Sequence, residues 1–75
     1  MVENNLRTLL AAGLKHQRSV LGISQEELAR RADLDPSYLA DLELAARNPS
    51  VESVEKLADA LHVTVAELFQ APDSE

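Results

Sequence analysis

The segment from Ser24 to Glu43, SQEELARRADLDPSYLADLE, constrains the fold of this 75-residue chain more than any other stretch. Ser24-Gln25-Glu26-Glu27 has the form of a capping box, in which the Ser24 hydroxyl accepts from the Glu27 amide and the Glu27 carboxylate reaches back. A helix over about 25–32 follows, with Leu28, Ala29 and Ala32 turned inward at helical spacing. Asp35-Pro36 opens the next helix, with Asp as N-cap and Pro at the first helical position, where its missing N–H costs nothing. Leu39 and Leu42 are the buried pair of that helix, and the intervening turn falls at Asp33. Ala29 is a small residue placed where the two helices cross. Such a unit presents its second helix outward.

The outward helix has an unexpected charge. Asp35–Glu43 carries three carboxylates, Asp35, Asp41 and Glu43, and no cation. The chain as a whole has a net charge of −6, distributed unevenly. Residues 1–32 hold Arg7, Lys15, Arg18, Arg30 and Arg31 against Glu3, Glu26 and Glu27; residues 33–75 hold only Arg47 and Lys56 against the remaining acids. A surface that faces phosphate must draw mainly on the first half plus Arg47.

Every periodic segment has a helical period, and none alternates like a strand. Leu6, Leu10, Leu14 and Leu21 lie along one face of a first helix over about 4–21, in which Gly13 leaves room for a close neighbour and after which Gly22 provides a stop. Ser50 caps a fourth helix over 51–61, with Val51, Val54, Leu57, Ala58 and Leu61 as its apolar stripe. Thr64-Val65-Ala66-Glu67 is a second capping box and opens a short fifth helix over 65–70 that buries Val65, Leu68 and Phe69. The tail, 71–75, is expected to fray. The fold class is all-α: a single domain, 1–75, built as a compact five-helix bundle.

The chain has no cysteine, hence no disulfide framework and no thiolate metal site, which suits an intracellular setting. No apolar run approaches the roughly 20 residues that span a bilayer, and the Met-Val-Glu-Asn-Asn start lacks the regions of a signal peptide. The expected location is cytoplasmic. No Gly-rich phosphate loop, nucleophile–base pair or metal-ligand cluster is recognisable, so no enzyme, cofactor, metal or small-molecule substrate is expected. His16 and His62 stand without a carboxylate or cysteine at ligand spacing. Lys15, Arg30 and Arg31 read as surface charges; Leu44 and Val63 read as exposed apolar contacts.

The strings LGISQEELARRA, SYLADLE, RNPSVESVEKLADAL and VTVAELF together resemble the helix-turn-helix of the phage-repressor and Xre-type transcriptional regulators. The likeness runs from about Leu14 to Phe69, and the LDPSYLADLE phrase is most similar to restriction–modification controller proteins. The resemblance implies a homodimer on double-stranded DNA with the third helix in the major groove. Pro36, Ser37, Ala40 and Asp41 match the base-facing positions. Arg18, Gln25, Tyr38, Arg47 and Asn48 match phosphate-contacting ones. Arg18 and Glu43 match a bridging ion pair, and Val63, Val65, Leu68 and Phe69 are expected at the dimer seam.

Three departures from the family pattern stand out. Asp33 replaces the usual turn glycine, Pro36 stands where close relatives can carry a base-reading arginine, and Leu44-Ala45 replaces the Arg-Gly that often follows the glutamate. The last change removes the usual stop, so the third helix is expected to run through about 36–45, toward Ala46. With few cations, DNA binding should show a shallow salt dependence. A protein-interaction module of the same fold, docking a basic partner on the acidic helix, is the competing expectation.

Overall fold

The computed structural model describes residues 6–70 and contains five helices: α1 Leu6–Leu21, α2 Gln25–Ala32, α3 Pro36–Glu43, α4 Val51–Leu61 and α5 Val65–Leu68. Four of them start at a side-chain cap. Ser24 accepts from the Glu27 amide, Asp35 from Ser37, Ser50 from Ser53 and Thr64 from Glu67. The box at Thr64 is complete, because the Glu67 carboxylate also accepts from the Thr64 amide at 2.8 Å. The box expected at Ser24 is formed only by half: the Glu27 carboxylate turns instead to Arg30 and Arg31 one turn on. Those two guanidiniums, by hydrogen bonding, hold the Glu27 carboxyl below its ordinary range.

Four helices also end alike. Gly22, Asp33, Ala45 and His62 all adopt the left-handed conformation, with φ of 69°, 59°, 59° and 60°. At each stop the next amide bonds back across the final turn: Ile23 to the Arg18 carbonyl, Leu34 to Ala29, Ala46 to Asp41 and Val63 to Ala58. This is the Schellman closure, which satisfies carbonyls that would otherwise be orphaned. It corrects one expectation. The third helix does not run on to Ala46 but stops at Glu43, because Ala45 takes the left-handed position that glycine would normally fill. The fifth helix likewise ends at Leu68, short of 70. Asn4 and Asn5, where the first helix was expected to start, and the tail 71–75 lie outside the described residues.

The core is leucine. Leu10, Leu14, Leu28, Leu39, Leu42, Leu57 and Leu68 are fully buried, each worth roughly 1.5–3 kcal/mol of transfer free energy. The α1 face narrows to Leu10 and Leu14, since Leu6 and Leu21 remain exposed, and Val51 stands outside the α4 stripe for the same reason. α2 packs on α3 and α4, while α1 packs on α3, α4 and α5. Held on both flanks, α3 keeps Leu39 and Leu42 inward and leaves Pro36, Ser37, Ala40 and Asp41 on its exposed or half-exposed side.

Candidate nucleic-acid interface

The exposed and half-exposed residues of α3 are therefore the four expected to face bases together with Tyr38. The N-terminal corner of the helix is stiffened by Asp35. One carboxylate oxygen accepts from the Ser37 amide at 2.9 Å and from the Ser37 hydroxyl at 2.8 Å. These bonds, the backbone one foremost, hold the Asp35 carboxyl below its ordinary range. With its proton committed to Asp35, the Ser37 oxygen is left as an acceptor facing outward.

The C-terminal end of α3 is built differently. Glu43 is buried, with 3% of its surface exposed. Arg18 on α1 grips it in the bidentate manner, Nε to Oε2 at 2.8 Å and Nη2 to Oε1 at 2.9 Å. The Gln25 amide nitrogen donates to Oε1 at 3.0 Å, so both oxygens of the carboxylate are satisfied. Arg18 donates a further bond to the Ile23 carbonyl at 3.0 Å. The hydrogen bonds that Arg18 donates to Glu43, ahead of burial, which opposes them, raise the pKa of Arg18 above its already high ordinary value. Three helices meet at this cluster, and it locks the end of α3 to α1 and to the start of α2. Gln25 was expected to be a phosphate ligand, and one of its two amide hydrogens remains uncommitted to Glu43.

The third carboxylate, Asp41, accepts from Arg47 Nη2 at 3.3 Å. The same guanidinium lies 5.2 Å from the centre of the Tyr38 ring, within cation–π range. The Tyr38 hydroxyl in turn accepts from the Ser50 amide at 3.3 Å, at the start of α4. Tyr38, Asp41 and Arg47 are thus one assembly that ties the loop after α3 back onto the helix. Sequence spacing did not reveal it. Arg47 lies too far along the chain for a helical pair, and only the left-handed turn at Ala45 folds the loop back. Asn48 is exposed beside it, at the edge of a second feature.

That feature is an apolar groove of about 700 Å³, where Leu6, Val51, Val54, Val65 and Phe69 are flanked by Arg7 and Glu55. Of the residues expected at a dimer seam, Val65 and Phe69 line it, and Val63 is half-buried against the core. Leu68 is excluded: it is fully buried inside the protomer, under Gly13. Leu6 and Val51, which the hydrophobic pattern had assigned to the core, take its place at the groove. Among the described residues no cluster of His, Cys, Asp or Glu could hold a metal, and no helix is long and apolar enough to cross a membrane.

The chain is similar in sequence and fold to several known proteins. A helix-turn-helix family model matches residues 14–68. The crystal structure of a hypothetical transcription factor from Neisseria superposes with a TM-score of 0.87 at 38% identity, over 96% of this chain and 83% of that one. The curated sequence of a Neisseria meningitidis hypothetical transcription factor is 39% identical over 70 residues, and the chain spans 66% of its length. Control protein C.BamHI of Bacillus amyloliquefaciens is 38% identical over 88% of this chain and 83% of its own. The controller protein C.Esp1396I, crystallised as a tetramer with its natural 35 base-pair operator, matches with a TM-score of 0.79 at 30% identity, over 89% of this chain and 88% of that one. With the α2–turn–α3 unit, its caps and its Arg18–Glu43 lock all in place, the chain belongs to the helix-turn-helix family of phage-repressor type and is similar to restriction–modification controller proteins.

Proposed function

We propose that the chain is a sequence-specific transcriptional regulator that binds double-stranded DNA in the cytoplasm, as a homodimer on a palindromic or pseudo-palindromic operator. One observation carries this reading. Each carboxylate of the acidic helix is already engaged, Asp35 by the Ser37 donors, Asp41 by Arg47 and Glu43 by Arg18 and Gln25. Two of the three charges that set the helix against DNA in the bare sequence are paired with arginines of the same protomer, Asp35 keeps its charge at the helix N-terminus, and α3 offers Pro36, Ser37, Ala40 and Asp41 to the groove. Ala40 suits a thymine methyl, and the Ser37 acceptor suits a base amino group, adenine N6 or cytosine N4. Arg18, Gln25, Tyr38, Arg47 and Asn48 hold the sugar–phosphate backbone, with Gln25 placed at a helix N-terminus that favours anions.

The dimer forms across the groove of Leu6, Val51, Val65 and Phe69, whose exposed valines and leucine gain most from a second copy. An operator duplex is the ligand of C.Esp1396I, which supports DNA as the partner here. A two-fold dimer places its two α3 helices about one turn of B-DNA apart, roughly 34 Å. Binding selection from random duplexes with the purified protein, followed by gel shift at two salt concentrations, tests this reading. It should return a two-fold site with half-site centres one turn apart. No measurable binding to DNA upstream of its own gene at low salt would reject it. A second reading, a protein-interaction module, rests on Leu44, which is 74% exposed at the end of α3; a basic partner protein that binds more tightly than any duplex would favour it.

A further inference from the structure

We infer that Asp41 sets a threshold for DNA binding without reading a base: it stands in for a phosphate on Arg47, so that DNA must offer contacts beyond that phosphate to draw the arginine away. This rests on the proposed DNA binding and adds a role for one residue in it. The geometry points to it in three ways. Arg47 is the only cation in residues 33–50, so the one charged grip on phosphate that this segment can supply beside α3 falls to it. Its guanidinium is held by an anion, Asp41 Oδ2 at 3.3 Å, and lies over the Tyr38 ring. Both charged side chains are also accessible, 52% for Arg47 and 42% for Asp41, so the pair opens at small cost.

A cation already paired inside the protomer gains less from an arbitrary phosphate than a free one. Non-specific binding is made almost wholly of phosphate contacts. Specific binding has groove contacts in addition and can absorb the cost of opening the pair. Asp41 therefore weakens binding to random DNA and to operator by the same increment, but only the former falls below use. It also lowers the salt response, since the carboxylate released from Arg47 takes up a cation as the phosphate gives one off.

The test is a double-mutant cycle with Asp41→Asn and Arg47→Gln, reading affinity for a random-sequence duplex and for the selected operator across a salt series. Asp41→Asn should tighten the random duplex about two- to fivefold, the span of a single exposed ion pair, and steepen the logarithmic salt slope by up to about one. In the Arg47→Gln background most of that gain should vanish. Equal gains in both backgrounds would overturn the inference, because they would show bulk charge rather than the pair. Weaker operator binding by Asp41→Asn, with random DNA unmoved, would overturn it in favour of base reading. If no duplex binds even the native protein, the proposed function fails instead. The inference is then decided on heparin–agarose: later elution of Asp41→Asn only when Arg47 is present supports it, and co-elution with the native protein rejects it.

Discussion

Gly13 of α1 and the backbone carbonyl of Leu68 lie so close that a Cβ added at position 13 would stand 1.8 Å from the Leu68 oxygen. The obstacle is backbone, which cannot rotate aside as a side chain would. Gly13→Ala gains about 1 kcal/mol of helix propensity but must push α5 off α1, and overpacking of this kind costs about 3 kcal/mol or more. The variant should melt roughly 10 °C lower by circular dichroism. A melting point equal to or above that of the native protein would show that α5 is not seated as described.

The Arg18–Glu43 lock predicts asymmetric effects. Arg18→Ala strands a carboxylate that is 3% exposed, and should cost about 3 kcal/mol, near the lower end for breaking a buried pair. Replacing both residues by leucine removes the stranded charge, and urea denaturation should then return most of that loss. A double variant no more stable than Arg18→Ala would show that packing, not charge, is what Arg18 supplies.

Acid sensitivity follows from Glu27 and Asp35, whose folded-state pKa values are depressed by Arg30 and Arg31 and by the Ser37 donors respectively. A depressed carboxyl contributes stability above its unfolded value, near 4, and loses it as pH falls through the lower folded value. Stability attributable to these groups should thus be flat from neutrality down to about pH 5 and decline below about pH 4. Asp35→Asn keeps an N-cap oxygen but removes the titration. Its acid limb, followed by chemical denaturation at several pH values, should be shallower than that of the native protein.

Ala45 sits at φ 59° with a Cβ, a conformation that costs an L-residue about 1–2 kcal/mol. Glycine relieves that strain and returns part of it as unfolded-chain entropy. Ala45→Gly should therefore stabilise by about 0.5–1 kcal/mol, while Ala45→Val should destabilise by more. Thermal midpoints in the opposite order would mean that the third helix ends elsewhere.

Ser37 presents an acceptor because its own proton is held by Asp35. Ser37→Ala should cost about 1 kcal/mol on the operator, confined to one base pair in each half-site that carries an amino group in the major groove. Competition gel shifts against single-position operator variants would measure it. A loss spread evenly over every position would assign Ser37 to the backbone.

Much of this was legible in the residues. Ser24, Asp35-Pro36, Ser50 and Thr64 announce their helices because a cap is a local device, satisfied within a few residues. The Arg18–Glu43 lock came by resemblance, as spacing alone cannot pair α1 with α3. Two kinds of feature stayed hidden. Left-handed stops at Ala45 and His62 carry no glycine, so composition gives no signal for them. The Asp41–Arg47–Tyr38 assembly depends on the direction in which the chain leaves α3, which is a consequence of the Ala45 stop. Val65 was read as buried with Leu68 but stands exposed, because a short helix shows too few residues for periodicity to separate its inner side from its outer one.

The four left-handed stops are not equally secured. Ile23, Leu34 and Val63, the residues that follow three of them, pack against the core and act as rivets for their corners. At the fourth the corresponding residue is Ala46, exposed and too small to reach inward. The junction between α3 and α4 is thereby an adjustable joint among welded ones, held by its backbone bonds and by the clasp of Arg47 on Tyr38. Residues 46–48 are exposed and lie outside the core, so what this corner presents can change while one scaffold is kept.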